Sequence, residues 1–270
     1  MLTGATALFP LIADPIKHVR APAIFQPKFE EAGLDWFLFP LNTPEDGFED
    51  LIAQLKRASN VGGCVVSVPF KARAARICDR LGPLAQIGGV VNTIRFAPDG
   101  ALEGEILDGM GLINCAAEAG APLDDADVLM SGTGGAGSAI AFAMAETGKG
   151  RLTVTNRTIE KAQSLVDEVK THYPDYIIEV GDFDPARHSI AINATSLGLD
   201  ADDPMPFDTD ALTPSTAVID IVVPETRLRD VAAAKGCKVT GGRPMVAAQI
   251  AAQIELWQGK IPTTPNPNMR

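Results

Sequence analysis

The feature that most constrains this chain is Gly132-x-Gly134-x-x-Gly137, set directly between a short apolar run, Val128–Met130, and an alanine-rich stretch, Ser138–Thr147. In a strand–turn–helix context the first glycine allows a tight turn and the second lets backbone N–H groups approach a pyrophosphate. The third permits close packing of helix on strand, and the helix N-terminus favours an anion. The spacing alone is common; the order strand, turn, helix is what a dinucleotide fingerprint requires. The same punctuation continues downstream. Arg151–Thr155 is a strand candidate, Ile159–His172 an amphipathic helix, and Tyr176–Val180, Ile190–Ala194 and Ala217–Val223 are further strands. Alternation of this kind predicts an α/β domain with a doubly wound parallel sheet covered on both faces.

The end of the next strand bears on which dinucleotide. A site for the unphosphorylated cofactor places Asp or Glu there, on the ribose 2′-hydroxyl. This chain has Thr155-Asn-Arg-Thr158 instead. A carboxylate would repel a 2′-phosphate, whereas the Arg157 guanidinium can bind it with two charge-assisted hydrogen bonds. Lys161, one turn on, can add a second positive charge. These residues predict NADP.

The first hundred residues carry a separate α/β pattern. Strand candidates are Thr6–Ile12, Trp36–Pro40, Val61–Val68, Val90–Phe96 and Leu102–Leu107, the last two joined by the turn Ala97-Pro-Asp-Gly100. Helical stretches fall at Ala23–Ala32, Pro44–Arg57 and Phe70–Leu81. The expected organisation is an N-terminal α/β substrate domain, residues 1–107, and a Rossmann-type NADP-binding domain, residues 108–240. The apolar helix Met245–Trp257 lies within a segment, 243–260, expected to return to the first domain. The stretch 262–268 has no apolar period and is expected to be a loose tail.

Composition narrows the partners. A chain of 270 residues with 46% hydrophobic side chains can bury a sizeable core. No apolar run reaches the ~18 residues of a membrane span, and Met1 opens no basic-then-apolar signal pattern. A formal charge of -11 disfavours nucleic acid, because phosphate contacts need a basic surface. The four cysteines, Cys64, Cys78, Cys115 and Cys237, are scattered without a CxxC pair. That argues against a zinc site or a disulfide framework and for free thiols in a reducing cytoplasm.

Val66-Ser-Val-Pro-Phe-Lys71 ends a strand and places a lysine at a helix start, where the helix dipole disfavours it. An acid or a ligand has to compensate. Asp108, in Leu107-Asp-Gly-Met-Gly111, stands where the first domain hands over to the second, and Gly109 and Gly111 suggest a hinge. A lysine–aspartate pair across a cleft suits proton transfer in alcohol oxidation. Taken alone, the same residues also fit a surface lysine and a helix-capping aspartate.

The motifs in series resemble the shikimate dehydrogenases, NADP-dependent enzymes that interconvert 3-dehydroshikimate and shikimate in the pathway to aromatic amino acids. The resemblance runs from Asp14-Pro-Ile16 through Pro69-Phe-Lys71, Gly89-Val-Val-Asn-Thr93, Asp108-Gly109 and Gly132-Thr-Gly-Gly-Ala136. It continues through Asn156-Arg-Thr158, Asn193-Ala-Thr-Ser196, Gly241-Gly-Arg-Pro-Met245, Gln249 and Glu255-Leu-Trp257. It implies Lys71 and Asp108 as the catalytic pair and Asn92, Gln249 and Ser67 on the substrate, Ser67 standing where the family usually has threonine. It also implies cofactor contacts from Gly132, Thr133, Gly134, Gly135, Ala136, Asn156, Arg157, Thr158, Lys161, Ile221 and Gly242. Hydride would pass between NADP and the alcohol carbon while Lys71 accepts or relays the hydroxyl proton; which of the pair is the formal base stays open. The implied protein is a monomer or homodimer acting on a small carboxylated ring substrate, shikimate or quinate.

Some residues depart from the family's pattern. Where it usually shows two serines before a proline, this chain has Val19 and Ala21 in Lys17-His-Val-Arg-Ala-Pro22. Val223 stands for a tyrosine, Ile106-Leu107 for Asn-Thr, and Val65 for an asparagine. Retained hydride chemistry with altered carboxylate recognition follows, with Arg20 and Lys17 available as replacement donors, unless both simply face solvent. The competing expectation is a catalytically silent NADP-binding relative.

Overall fold

Apolar β-rich segments and short helices alternate along the first hundred residues, giving β1 (Ala7–Ala13), α1 (Pro22–Glu31), β2 (Trp36–Asn42), α2 (Phe48–Leu55), β3 (Gly63–Val66), α3 (Lys71–Ile77), β4 (Arg80–Leu81), α4 (Pro83–Gly88), β5 (Thr93–Phe96) and β6 (Leu102–Glu105). The structure is a computed structural model that describes residues 2–17, 21–200, 202–223, 225–261 and 263–267. It divides into two units, residues 1–107 with 250–270, and residues 108–249.

The first unit is built on a mixed seven-stranded sheet in the order Thr264–Pro265, β4, β6, β5, β3, β1, β2. β1 pairs in parallel with both β2 and β3, and β5 runs antiparallel to β3 and β6. Between β5 and β6, Gly100 takes φ 85° and closes the expected turn through Ala97 N–H to Ala101 O. Phe9, Phe25, Phe29 and Trp257 are buried together against Trp36, with the Phe9 and Trp257 rings 4.3 Å apart. Burying such a cluster removes several hundred Å² of apolar surface from water, the main driving force here.

Two expectations in this unit need correcting. The helix expected over Phe70–Leu81 stops at Ile77, and Arg80–Leu81 enters the sheet beside β6. The expected loose tail is tied down where it is described. Thr264–Pro265 pairs with β4, and the buried Asn266 donates its side-chain amide to Ala75 O and Cys78 O, at the end of α3. One polar side chain with four hydrogen-bonding sites does what apolar periodicity could not reveal.

The second unit comprises α5 (Asp108–Glu118), β7 (Asp127–Ser131), α6 (Gly135–Glu146), β8 (Arg151–Thr155), α7 (Ile159–His172), β9 (Ile178–Val180), β10 (Ile190–Asn193), β11 (Ala217–Asp220), α8 (Arg227–Ala234), β12 (Lys238–Gly241) and the start of α9 (Arg243–Trp257). Its six strands are all parallel in the order β12, β11, β10, β7, β8, β9. The order reverses between β7 and β10, the switch point at which doubly wound sheets open a crevice. The later part of α9 belongs to the first unit, where Trp257 Nε1 donates to Ile94 O.

Gly109 and Gly111 do not form a hinge. Both are buried inside α5, where a β-carbon on Gly109 would lie 2.3 Å from Ala139 O and one on Gly111 2.7 Å from Gln249 Cβ. They let α6 and α9 approach α5 closely. Among the described residues no helix is long and apolar enough to cross a membrane, and no cluster of three or more His, Cys, Asp or Glu could hold a metal. All four cysteines are buried and free; burial pushes the Cys64 and Cys78 thiols up, away from nucleophilic thiolate chemistry.

Candidate active site

At the end of β7 the chain turns through Gly132 at φ 107°, which a side chain would resist twice: the conformation is left-handed, and a β-carbon would sit 2.7 Å from Thr195. Gly137 is equally constrained, since its β-carbon would meet Gly132 O at 2.2 Å. Gly134 and Gly135 differ. They are exposed at the start of α6, and a β-carbon on either would meet no atom of the described residues within 4 Å. The middle glycines therefore keep open the space above a helix N-terminus that favours an anion, while Thr133 and Ala136 flank it half-buried.

One strand over, Asn156 donates to Thr158 O and shapes the turn from β8 into α7. Arg157 and Lys161 are exposed, and among the described residues neither is held in an ion pair. An open anion seat and two uncommitted cations at the ribose end fit NADP.

On the other side of the switch point lies a buried polar network whose role the sequence did not show. Asp220, fully buried at the end of β11, accepts from Asn193 Nδ2 at 2.9 Å and from the Thr226 hydroxyl. Arg229 stands 3.6 Å from the same carboxylate and donates to Asp220 O and Val222 O. Ile221 N–H donates to Asn193 O, and Gly242 N–H to Asp220 O. A β-carbon on Gly242 would press on the Arg229 guanidinium at 2.4 Å. The network thus shapes the turns that carry Ile221 and Gly242.

Asp108 is the first residue of α5, and its Oδ1 accepts from Gln249 Nε2 of α9 at 3.0 Å. A side chain on Gly111 would break that arrangement, because it would strike Gln249 itself.

In the first unit, Ser67 follows β3 and is half-buried; its N–H still reaches Ile12 O, and its carbonyl accepts from Phe70 N–H. Phe70 is fully buried and stacks on Phe48 at 4.6 Å, which fixes the start of α3. Lys71, the next residue, opens that helix half-buried, with its carbonyl accepting from Val91 N–H. Asn92 is buried, and its Oδ1 accepts from Leu107 N–H at 3.1 Å and from the Thr93 hydroxyl at 3.0 Å. His18, Val19 and Arg20 lie outside the described residues. Ala21 precedes α1 among the apolar residues packed on the aromatic cluster, Lys17 is exposed, and Val223 is exposed on the turn after β11.

Two family models match: the shikimate dehydrogenase substrate binding domain over residues 11–94, and shikimate/quinate 5-dehydrogenase over residues 114–239. The NADP(+) shikimate dehydrogenase of Lysinibacillus sphaericus is 35% identical over 260 residues, covering 95% of this chain and 94% of that protein. The chain belongs to the shikimate dehydrogenase family. Among solved structures, shikimate 5-dehydrogenase from Listeria monocytogenes, in complex with shikimate and NAD, superposes with a TM-score of 0.85 at 29% identity, over 99% of this chain and 95% of that one. A second family likeness is of a different kind. The ligand-free 5-ketofructose reductase of a Gluconobacter strain superposes with a TM-score of 0.86 at 26% identity, over 98% of this chain and 96% of that one.

Within each unit the structure gathers the family's motif residues. The glycine turn, Asn156–Thr158, Ile221 and Gly242 all lie on turns after the sheet strands β7, β8, β11 and β12. Asp108 and Gln249 meet directly, while Lys71, Ser67 and Asn92 follow or precede strands of the other sheet. Thr93 and Gln253 join Asn92 in a buried polar chain that sequence reasoning missed. The available signal was a glutamine at helical spacing, four residues beyond Gln249, in an otherwise apolar helix.

Proposed function

We propose that this protein is an NADP-dependent dehydrogenase that interconverts shikimate and 3-dehydroshikimate, or a closely related carboxylated ring alcohol. The observation that carries this reading is the open helix N-terminus at Gly134–Gly135 beside the uncommitted Arg157, on a chain 35% identical to an NADP(+) shikimate dehydrogenase.

NADP, when bound, supplies the hydride acceptor or donor. The Gly132–Ala136 turn would seat its pyrophosphate and Arg157 and Lys161 its 2′-phosphate, with Asn156 and Thr158 shaping the turn from β8 and Ile221 and Gly242 contributing from the turns after β11 and β12. Lys71 Nζ accepts or relays the proton of the reacting hydroxyl. The Asp108 carboxylate orients that lysine, and Gln249 holds Asp108 Oδ1 in place. Ser67 and Asn92 bind substrate oxygens, and Arg20 holds the carboxylate in place of the family's serines. The protein works in the cytoplasm as a monomer or homodimer without a nucleic-acid partner, in keeping with its charge of -11 and four buried free thiols.

The test is NADP reduction by the purified protein over shikimate, quinate and related ring hydroxy acids, with 5-ketofructose and NADPH in the reverse direction. Turnover of shikimate is expected, with a KM lowered by Val19→Ser with Ala21→Ser and raised by Arg20→Ala. The Gluconobacter likeness, together with Ala21 packed among apolar side chains, favours a neutral keto-sugar as the second reading. Reduction of 5-ketofructose alone would establish it. No turnover on any of them would leave the silent relative.

A further inference from the structure

Gln253 is 2% exposed on α9, yet it is not apolar. Its Nε2 donates to the Thr93 hydroxyl at 3.1 Å, the Thr93 hydroxyl donates to Asn92 Oδ1 at 3.0 Å, and the same Oδ1 accepts from Leu107 N–H at 3.1 Å. Thr93 is fully buried and Asn92 nearly so. The direction of every bond in this chain follows from one end. A backbone N–H can only donate, so Asn92 must turn its oxygen to Leu107. The Thr93 proton then goes to that oxygen, which leaves a Thr93 lone pair for a donor, and Gln253 supplies one. Gln253 is thereby forced to carry its Oε1 into the interior, where it has no hydrogen-bond partner among the described residues. A buried unpaired carbonyl is costly to keep, and an apolar side chain would avoid it.

We infer that Gln253 is a positioning residue that acts through Thr93: it occupies the Thr93 lone pair, holds the Thr93 proton on Asn92 Oδ1 and so reinforces the orientation set by Leu107 N–H, in which Asn92 meets the substrate as a hydrogen-bond donor. The inference rests on the proposed substrate contact of Asn92. It narrows the matching group on the substrate to an acceptor: a hydroxyl lone pair, a carbonyl or a carboxylate oxygen, and not an amine.

The experiment is steady-state kinetics with shikimate and NADP, with thermal melting alongside. Gln253→Leu should raise the KM for shikimate roughly 3- to 10-fold, the equivalent of one weakened hydrogen bond, with the KM for NADP and the melting temperature kept. Thr93→Val should do the same, and Thr93→Ser should retain most of the wild-type KM. Gln253→Glu separates positioning from simple packing. A carboxylate accepts only, so above the pKa of that glutamate the Thr93 proton turns towards it and Asn92 loses a partner. Below that pKa the protonated acid donates to Thr93 and restores the native polarity. The shikimate KM of this variant, relative to wild type, should therefore rise with pH, whereas a packing defect would be independent of pH. If Asn92→Ala raises the KM and the Gln253 and Thr93→Val variants do not, the relay is wrong and the Asn92 contact stands. If Asn92→Ala changes nothing, both fall. If Gln253→Glu does not fold, the Thr93→Val and Thr93→Ser pair decides by itself.

Discussion

The glycine turn at Gly132–Gly137 and the polar chain through Asn92 are built on opposite plans. The turn works with backbone: Gly134 and Gly135 are exposed, a β-carbon on either would meet no described atom within 4 Å, and among the described residues the cations Arg157 and Lys161 are held in no ion pair. The Asn92 chain works with side chains that are buried and already bonded to one another. A pyrophosphate needs N–H groups and a helix end, which any sequence with the right glycines provides. A polyhydroxylated ring has to be told from close analogues, and that discrimination comes from polar groups held in one orientation. The first plan tolerates a solvated, open site; the second depends on burial.

The sharpest way to separate the two plans is to remove chemistry from one while leaving the other. Lys71 lies in the first unit, on α3, and the glycine turn in the second. Lys71→Ala should therefore cut turnover by ~10²–10⁴-fold, the usual contribution of a general acid–base group, with NADP affinity nearly unchanged. Asp108→Asn should cut turnover less, because the amide still meets Gln249 but no longer carries charge. Losses of only a few-fold in both variants would remove the pair from the mechanism.

The next effect belongs to the open site. With no carboxylate in the Thr155–Thr158 stretch that ends β8 and an exposed guanidinium in Arg157 that is in no ion pair among the described residues, NADP should be preferred over NAD. Arg157→Ala gives up a charge-assisted contact worth about 1.5–3 kcal/mol, so most of the preference should vanish while kcat holds. Equal affinity of the wild-type protein for both cofactors would show that the cations do not face the ribose.

This contrast also explains what could be seen before the fold was known. The Rossmann-type unit was legible because Gly132, Gly134 and Gly137 sit next to each other in sequence, and a local spacing encodes a local turn. Lys71 and Asp108 were legible as helix-start residues, and then through the family's motif series. The Asn92 chain draws on residues 92, 93, 107 and 253, joined only by the fold, so no spacing announces it. Gly109 and Gly111 misled for a related reason. A glycine pair marks flexibility or close approach with the same letters, and only the neighbours Ala139 and Gln249 decide between them. The helix α3 ends at Ile77, short of the Leu81 that local spacing predicts, and its last carbonyls are met by Asn266, nearly two hundred residues away.

The glycines offer a finer cut within the open site. Gly137→Ala places a methyl 2.2 Å from Gly132 O and should lower stability by about 1–3 kcal/mol, the cost of overpacking a tight contact. Gly134→Ala meets nothing, and at φ -72° alanine is at ease there. Its melting temperature should hold or rise slightly, while NADP affinity falls because the methyl occupies the anion seat. Equal losses of stability in the two variants, measured by denaturant unfolding, would mean that the middle glycine serves the fold and not the ligand.

The smallest expected effect tests whether burial by itself makes a polar side chain part of the site. Asn266 resembles Asn92 in being buried and doubly bonded, since its amide holds Ala75 O and Cys78 O at the end of the helix that begins with Lys71. It differs in which end of that helix it holds. The Lys71 end is fixed separately, by the buried Phe70 stacked on Phe48 and by Val91 N–H on Lys71 O. Asn266→Ala removes two donors from carbonyls that water can partly reach once the side chain is gone. It should cost about 1–3 kcal/mol of stability, the net value of two ordinary hydrogen bonds. Turnover should stay within a factor of two of wild type, because the lysine's own anchors survive. Denaturant unfolding and steady-state kinetics on the same preparation measure both quantities. A loss of turnover larger than the loss of stability explains would show that α3 transmits its C-terminal cap to Lys71, and would bring the chain's last described strand into the catalytic machinery.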